Sequence, residues 1–510
     1  IDEPIKNFSD LEESLDDRLM AGFGGVAEYG ITVRWDKNFL KLIYIHLMRS
    51  PHFQLYGNVR FGGTIKVEDA WAMGFHHLVV AVGAGLPKAL PVKGSMAPGM
   101  RQANDFLMAL QLTGAAKKNT LANLQMRLPA IIIGGGLTGV DAATEAKAYY
   151  IRQIETIAHR YKTLCQQHSK KHILEKLDIT SQEILEEFLT HAQSVNNERK
   201  RAKQNNKAPK FNQLINTWGG VSIVYRKKMQ QSPAYVNNHE ELQEALKEGI
   251  YYIENLQPTQ INLDKSGHCA STTFELTVVD CEKQQAVTLE SKSILVATGA
   301  SLNVAYAFEH PKAFKRNGMQ YQRFEEQAGE LVMAHDAEHC KSQHFGPFTS
   351  YQNDKHRVTF IGDTHPVFHG NVVKAIASAK RSYPIINEHL KTFAAETNNY
   401  DEFAHNLKQQ FTTVITGIKR LHKNVLELAI KAPLLAQQFK PGQFFRAQGY
   451  MTTAQHAGDT PLHGEACPLY VSYVDKNNDQ LKLLVIEKSV STRLFSTLSI
   501  GENIALMGPA

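Results

Sequence analysis

The feature that most constrains this chain is the run Ile131-Ile132-Ile133-Gly134-Gly135-Gly136-Leu137-Thr138-Gly139-Val140-Asp141-Ala142-Ala143. An apolar strand leads into glycines spaced G-x-G-x-x-G, met by Gly134, Gly136 and Gly139, and an Ala-rich helix follows. Gly134 permits the tight turn, Gly136 lets a pyrophosphate approach the backbone, and Gly139 lets helix and strand pack closely. With Gly135, Leu137 and Thr138, they place free N–H groups at a helix start, where the dipole favours negative charge. The alternative is a glycine turn that holds no ligand.

An ordinary unit of this kind carries an acidic residue ~20 positions on, for the ribose hydroxyls of NAD. Here the next strand, Val221 to Tyr225, is delayed by an insertion over 151–218 and ends in Arg226-Lys227-Lys228. Cations there suit the 2'-phosphate of NADPH and leave no carboxylate for a free diol, unless they are merely solvated loop residues. Ile151, Ile154, Ala158, Tyr161 and Cys165 mark one helical face of the insertion. Thr180 and Glu183 read as a capping box opening a second helix with inward Ile184, Leu185, Phe188 and Leu189. A polar run from Arg199 to Lys210 then reads as a solvated loop, or as a surface for an acidic partner.

At ~150 residues per domain, 510 residues imply three or four domains. Apolar strands at Leu78–Val82, Ala130–Ile133, Val221–Tyr225, Ile294–Ala297 and Val358–Ile361 alternate with helices, which predicts an α/β class with Rossmann-like sheets. The first, second, fourth and fifth run into Gly83, Gly134, Gly299 and Gly362, and the carboxyl ends of such strands are where ligands sit. Residues 391–423 read as a polar helical linker. Strands at Val425–Ile430, Gln443–Gln448, Leu469–Val474, Leu481–Ile486 and Ile504–Met507 then predict a small antiparallel β-barrel over 424–510.

Composition is that of a globular protein, 43% apolar and 21% charged, with mean hydropathy -0.31 and no run of the ~18 apolar residues a membrane helix needs. The net charge of +6 resides mostly in 151–218, where 12 Lys/Arg face 7 Asp/Glu, so no general nucleic-acid footprint is expected. The 5 cysteines, Cys165, Cys269, Cys281, Cys340 and Cys467, are widely spaced without a C-x-x-C pair. That predicts a reducing, cytoplasmic setting and no complete iron-sulfur ligand set. His335, His339 and Cys340 have helical metal spacing but lack another placed ligand. The 22 histidines form no Ser/His/Asp pattern, and no catalytic residue is assigned. The chain opens at Ile1 and stops at Gly508-Pro509-Ala510, which reads as a piece of a longer protein.

The order of motifs over roughly residues 20–390 resembles the small subunit of glutamate synthase and related NADPH-dependent flavin oxidoreductases with two dinucleotide-binding domains. Gly24-Gly25-Val26-Ala27-Glu28-Tyr29-Gly30-Ile31 is similar to the segment beside the flavin in that family. Val80 to Ala84 and Val296 to Ala300, holding Gly83 and Gly299, resemble its two crossings between domains. Val224-Tyr225-Arg226, Ser232-Pro233-Ala234 and Glu244 to Ile250 resemble its NADPH-side block. Phe360-Ile361-Gly362-Asp363, then Gly370-Asn371-Val372-Val373-Lys374-Ala375-Ile376, resemble its second flavin motif. The resemblance implies FAD and NADPH as cofactors. Asp363 would accept from a ribityl or ribose hydroxyl, and the helix opening at Asn371 and Val372 would present N–H groups to the flavin. The family's first glycine loop and its iron-sulfur cysteine clusters have no counterpart here.

Residues 420–510 resemble the barrel of ferredoxin-NADP reductases through Phe439-Lys440-Pro441-Gly442-Gln443-Phe444, Ser491-Thr492-Arg493-Leu494 and Gly501-Glu502. Pro468 stands where that superfamily has a phosphate-holding Arg, and Val471 where it has Ser, so a second flavin is left open. The expected organisation is a first FAD-domain segment over 1–127, an NADPH domain over 128–300, a second FAD-domain segment over 301–390, the linker and the barrel. The expected function is hydride transfer from NADPH to FAD, with electrons passing to an iron-sulfur or other acceptor outside the chain. A transhydrogenase or bifurcating assembly and a non-catalytic interaction scaffold are the alternatives.

Overall fold

A computed structural model describes residues 39–277, 286–335, 339–394 and 399–510. Two compact units emerge, one containing Pro87–Gly299 and the other Leu47–Leu86 with Ala300–Ala510.

The first unit is built on a parallel sheet in the order Met100–Gln102, Ser293–Val296, Ala130–Ile133, Val221–Val224, Tyr251–Ile253. Its central strands are short apolar runs buried along their length, as expected of strands covered on both faces. Alternation divides their side chains. Ala130, Ile132, Val221, Ile223 and Leu295 join one core with Phe106, Val140 and Tyr150 from helices. Ile131, Ile133, Val224, Ile294 and Val296 join another with Leu256, Ile261 and Phe274. The second cover is a three-stranded antiparallel sheet, Leu256–Leu263, Cys269–Leu276 and Ala286–Glu290. Residues from Pro87 onward also belong to this unit, although 1–127 reads as one flavin-domain segment in sequence. Met100–Gln102 pairs with Ser293–Val296, and Phe106, Leu107 and Leu110 of helix Ala103–Leu112 fill the same core as Ile132.

The insertion begins as an extension of the helix after the glycine loop, Leu137–Gln167, of 31 residues. Helix Ile179–Gln204 packs on it through Ile184, Phe188, Ala192 and Val195. The expected capping box at Thr180 and Glu183 is not the helix start. Asp178 is the N-cap, its carboxylate accepting from Ser181 N at 2.7 Å, while Thr180 donates to Ser266 Oγ. The basic run from Arg199 to Lys210 is a loop only in its second half, because the helix continues to Gln204 and the exposed turn holding Lys207 and Lys210 follows. Arg199 pairs with Glu155 and Arg201 with Glu198, so part of the charge is neutralised within the insertion.

In the second unit, His77–Val80 pairs in parallel with His356–Phe360, and three antiparallel strands complete that sheet. Val80, Val358 and Phe360 meet Tyr306, Phe314 and Tyr321 in its core. Helix Val372–Leu390 follows. The expected helical linker ends early: after helix Tyr400–Phe411 the chain forms the strand Val414–His422. The β-branched run Thr412-Thr413-Val414-Ile415-Thr416 favours the extended form. That strand makes the C-terminal antiparallel sheet six-stranded. Its outer members are joined by a bridge between Val414 and Asn503, with Ile415 N donating to Glu502 O at 2.9 Å. Leu426, Leu428, Ile430, Leu481, Leu483 and Val485 alternate into its core.

His365 is 0% exposed in the second unit. Its Nε2 bonds Gly346 O at 3.0 Å, its Nδ1 accepts from Val367 N at 3.2 Å, and its ring stacks on Phe360. Burial lowers its pKa from 6.5 to about 3. Burial, followed by the charge of His389, lowers that of His77 to about 4. Both depressed values place full stability above the unfolded pKa of 6.5, with loss as pH falls toward the folded values. Chemical denaturation should therefore show stability falling below pH ~6.5 with a slope of up to ~1.4 kcal/mol per pH unit for each histidine. His365→Phe, less stable at neutral pH, should show a shallower acid limb.

Candidate functional site

The strand order of the first unit contains a reversal. From Ala130–Ile133 the chain proceeds to Val221–Val224 and Tyr251–Ile253 on one side, then returns to Ser293–Val296 on the other. Connections that diverge in this way leave a crevice beyond the carboxyl ends of the two central strands. The glycine loop lies at that end. Ala297 N donates to Ile133 O at 2.8 Å, and Gly134 N to Val224 O at 3.0 Å, so both neighbouring strands grip the turn.

The glycines serve different steric purposes. Gly134 has φ +136°, and a Cβ there would collide with the Ala297 carbonyl. A Cβ on Gly135 would lie 2.7 Å from the Tyr225 ring, and one on Gly139 would lie 2.7 Å from Gly134 O. Gly136 differs: a Cβ there would meet nothing within 4 Å. It is the N-cap of helix Leu137–Gln167, with no side-chain cap and no acidic residue in the first turn. The first amides of an α-helix have no intrahelical acceptor. At Gly136, Leu137 and Thr138, an open surface therefore coincides with the positive end of a helix, a combination suited to an anionic phosphate group.

The neighbouring strand supplies cations. Arg226, Lys227 and Lys228 follow Val221–Val224 and are exposed. Their turn is fixed through the main chain: Thr277 Oγ1 donates to Arg226 O at 2.6 Å, and Asn255 N to Lys227 O at 3.4 Å. These bonds leave the charged ends in solvent. Gly299, also in this unit, has φ +94° and accepts from Lys88 N at 3.0 Å.

A second group of the expected residues gathers at the carboxyl ends of His77–Val80 and His356–Phe360. Gly83 N donates to Thr364 Oγ1 at 3.0 Å, and Ile361 N to Val80 O at 3.0 Å. Asp363 accepts from Gly370 N at 2.8 Å, and Gly362 N donates to Ser378 Oγ at 2.7 Å. Asn371 caps helix Val372–Leu390 by accepting from Lys374 N at 2.8 Å. Gly83, Gly362 and Gly370 have positive φ, and a Cβ on any of them would meet nothing within 4 Å. Val372 is exposed at the helix start. The result is an open, glycine-lined rim with one carboxylate and one helix N-terminus, chemically suited to a polyol or to the polar edge of a ring.

Gly24, Gly25, Tyr29, Gly30 and Ile31 lie outside the described residues. Tyr225, Thr364 and Ser378 were not singled out as site residues by sequence. Tyr225 floors the glycine loop, and the other two brace the turn beside Asp363. Among the described residues no group of three or more His, Cys, Asp or Glu side chains could hold a metal ion, and no helix is long and apolar enough to cross a membrane.

No protein-family model matches the chain. An uncharacterized protein of Rickettsia prowazekii (strain Madrid E) is 35% identical over 521 residues, an alignment covering 100% of this chain. The chain spans 64% of that relative's length. Among solved structures, Mycobacterium tuberculosis FprA in complex with NADPH is similar at 11% identity and a TM-score of 0.41, over 76% of this chain and 80% of its own. The thioredoxin reductase of T. acidophilum is similar at 14% identity and a TM-score of 0.31, over 62% of this chain and 66% of its own.

The glycine geometry yields a stability contrast. Gly134→Ala must relieve both a positive φ and a backbone collision, a cost of about 2–4 kcal/mol. Gly136→Ala has room, and an Ala N-cap costs under about 1 kcal/mol. Thermal unfolding of the two variants should separate them in that order.

Proposed function

We propose that this chain is a flavin-dependent NADPH oxidoreductase module. The observation that carries the reading is the open surface over Gly136 at an uncapped helix start, beside a strand end bearing three exposed cations. In this reading the NADPH pyrophosphate rests on the amides of Gly135, Gly136, Leu137 and Thr138. Gly134 and Gly139 hold the turn, and Arg226 and Lys227 receive the 2'-phosphate. FAD is the second cofactor. Gly83, Gly362, Asp363, Gly370, Asn371 and Val372 supply part of its site, Gly299 a domain crossing, and Gly24, Gly25, Tyr29, Gly30 and Ile31 the segment beside the ring.

When bound, the nicotinamide and the isoalloxazine supply hydride transfer, a step that requires alignment and no proton donor from the protein. The chain's own contribution is positional. The Gly136 helix start offsets phosphate charge, and the one at Asn371 offsets charge on the pyrimidine edge of the ring. Electrons pass to an acceptor outside this chain, iron-sulfur or other. The glutamate synthase small-subunit-like assignment rests on the motif order over residues 20–390, and a cytoplasmic setting on the widely spaced cysteines.

The six-stranded antiparallel sheet favours a second reading, a transhydrogenase or bifurcating-type assembly. In it, residues 424–510 act as a ferredoxin-reductase-like barrel carrying electrons to or from the flavin domain. Both enzymatic readings require a bound flavin.

The full chain should show a flavin absorption band that NADPH bleaches anaerobically. A colourless protein indifferent to NADPH would leave the interaction scaffold. Arg226→Asp should raise the KM for NADPH by about 10- to 100-fold, the loss of one charged hydrogen bond, while the KM for NADH changes little. Equal changes for both nucleotides would remove the 2'-phosphate assignment.

A further inference from the structure

The turn that carries the three cations is held by the strand beside it. Like charges on consecutive residues repel, so Arg226, Lys227 and Lys228 can face one ligand together only where their main chain is fixed. The next strand of the parallel sheet, Tyr251–Ile253, ends against this turn. Asn255 then adopts the left-handed conformation, at φ +59°, which Asn tolerates better than most residues. Its N–H donates to Lys227 O, and Leu256 N donates to Tyr225 O at 3.1 Å.

Glu254 secures the far end of the turn. Its Oε1 accepts from Met229 N at 2.7 Å, a contact between residues 25 apart in sequence. Glu254 is half-buried, whereas Arg226, Lys227 and Lys228 are exposed. Among the described residues these three cations form no ion pair, with Glu254 or with any other carboxylate. Met229 itself packs, partly buried, against the helix-side core of the sheet. The carboxylate therefore anchors the turn through a main-chain amide and leaves its charges available.

We propose that Glu254 is a positioning residue for recognition of the nucleotide 2'-phosphate. By holding Met229 N it sets the place of Arg226 and Lys227, and it touches no part of the nucleotide itself. This role rests on the NADPH reading of the glycine loop. The competing role, a carboxylate that accepts directly from a free ribose diol, predicts the opposite selectivity.

The full chain is titrated by calorimetry with adenosine 2',5'-bisphosphate and with adenosine 5'-monophosphate, which differ only in the 2'-phosphate. The unsubstituted chain should bind the bisphosphate at least about 10-fold more tightly, as one charged hydrogen bond provides. Glu254→Ala should weaken the bisphosphate by about 3- to 10-fold and change the monophosphate by less than about 2-fold. Glu254→Gln, which keeps an acceptor oxygen, should restore most of the affinity. Met229→Pro removes the same bond from the donor side: Met229 opens the helical turn Met229–Gln231, and Lys228 has φ -64° and ψ 149°, a backbone that suits the residue before a proline. It should reproduce the Glu254→Ala loss, and the double variant should be no weaker than either single one. Equal weakening of both nucleotides by Glu254→Ala, a greater loss for the monophosphate, no restoration by Glu254→Gln, or additive losses in the double variant would each overturn the role of Glu254. A selective loss with Arg226→Asp but none with Glu254→Ala would remove Glu254 alone. No preference for the bisphosphate in the unsubstituted chain, or a preference that survives Arg226→Asp, would instead overturn the 2'-phosphate reading beneath it. Should Glu254→Ala not fold, Met229→Pro decides.

Discussion

The organisation of the first unit depends on one close approach, the Ala297 carbonyl standing where a Cβ of Gly134 would be. Two parallel strands that leave the sheet in different directions must separate at their carboxyl ends, and here they do so at backbone contact. Ile133 O accepts from Ala297 N on one side, and Gly134 donates to Val224 O on the other. Gly139 then allows the helix to sit directly over Gly134 O. The direction of a 31-residue helix, the open surface at its start and the crevice beyond the strands all follow from the absence of three side chains.

The sheet around this contact is closed in two ways. Helices bury Ile132 and Ile223, while an antiparallel sheet buries Ile131, Ile133 and Val224. The alternation of the strands is therefore an allocation between two cores, with no polar face. The second unit follows a similar rule at smaller scale. Among the described strands of its mixed sheet only His77–Val80 and His356–Phe360 run parallel, and three glycines with positive φ, Gly83, Gly362 and Gly370, lie beyond their carboxyl ends.

Much of this was legible in the residues because the signals were steric or periodic. The strands Ala130–Ile133 and Ile504–Met507 have the limits read from sequence, since each is an apolar run broken by glycine or by a change of period. The strand Val414–His422 escaped notice because its exposed second half carries Lys419, Arg420 and His422, which resemble a polar linker. The Thr-, Gln- and Ser-rich cover strands Leu256–Leu263 and Cys269–Leu276 are disguised in the same way. At the candidate site the loop glycines announce themselves, because nothing else fits. Tyr225, Thr364 and Ser378 do not, since their roles depend on which distant residue the fold brings beside them. Asp178 outcompeted Thr180 as N-cap for a local reason: its carboxylate reaches Ser181 N.

The long helix is also a mechanical object. Beyond Gly139, Leu137–Gln167 contains no glycine and no proline, so its 31 residues form a rod of about 46 Å without a built-in hinge. One end is the lip of the glycine loop, and the other carries the insertion. Fully buried side chains run along it as far as Ile154, and Ile157 and Ala158 still pack, partly buried, against the same core. The insertion is nevertheless tied back beyond its base: Glu187 on its second helix pairs with Arg127 and Lys292, and Thr180 at the start of that helix donates to Ser266 Oγ, so the rod is braced along its length by the body of the unit.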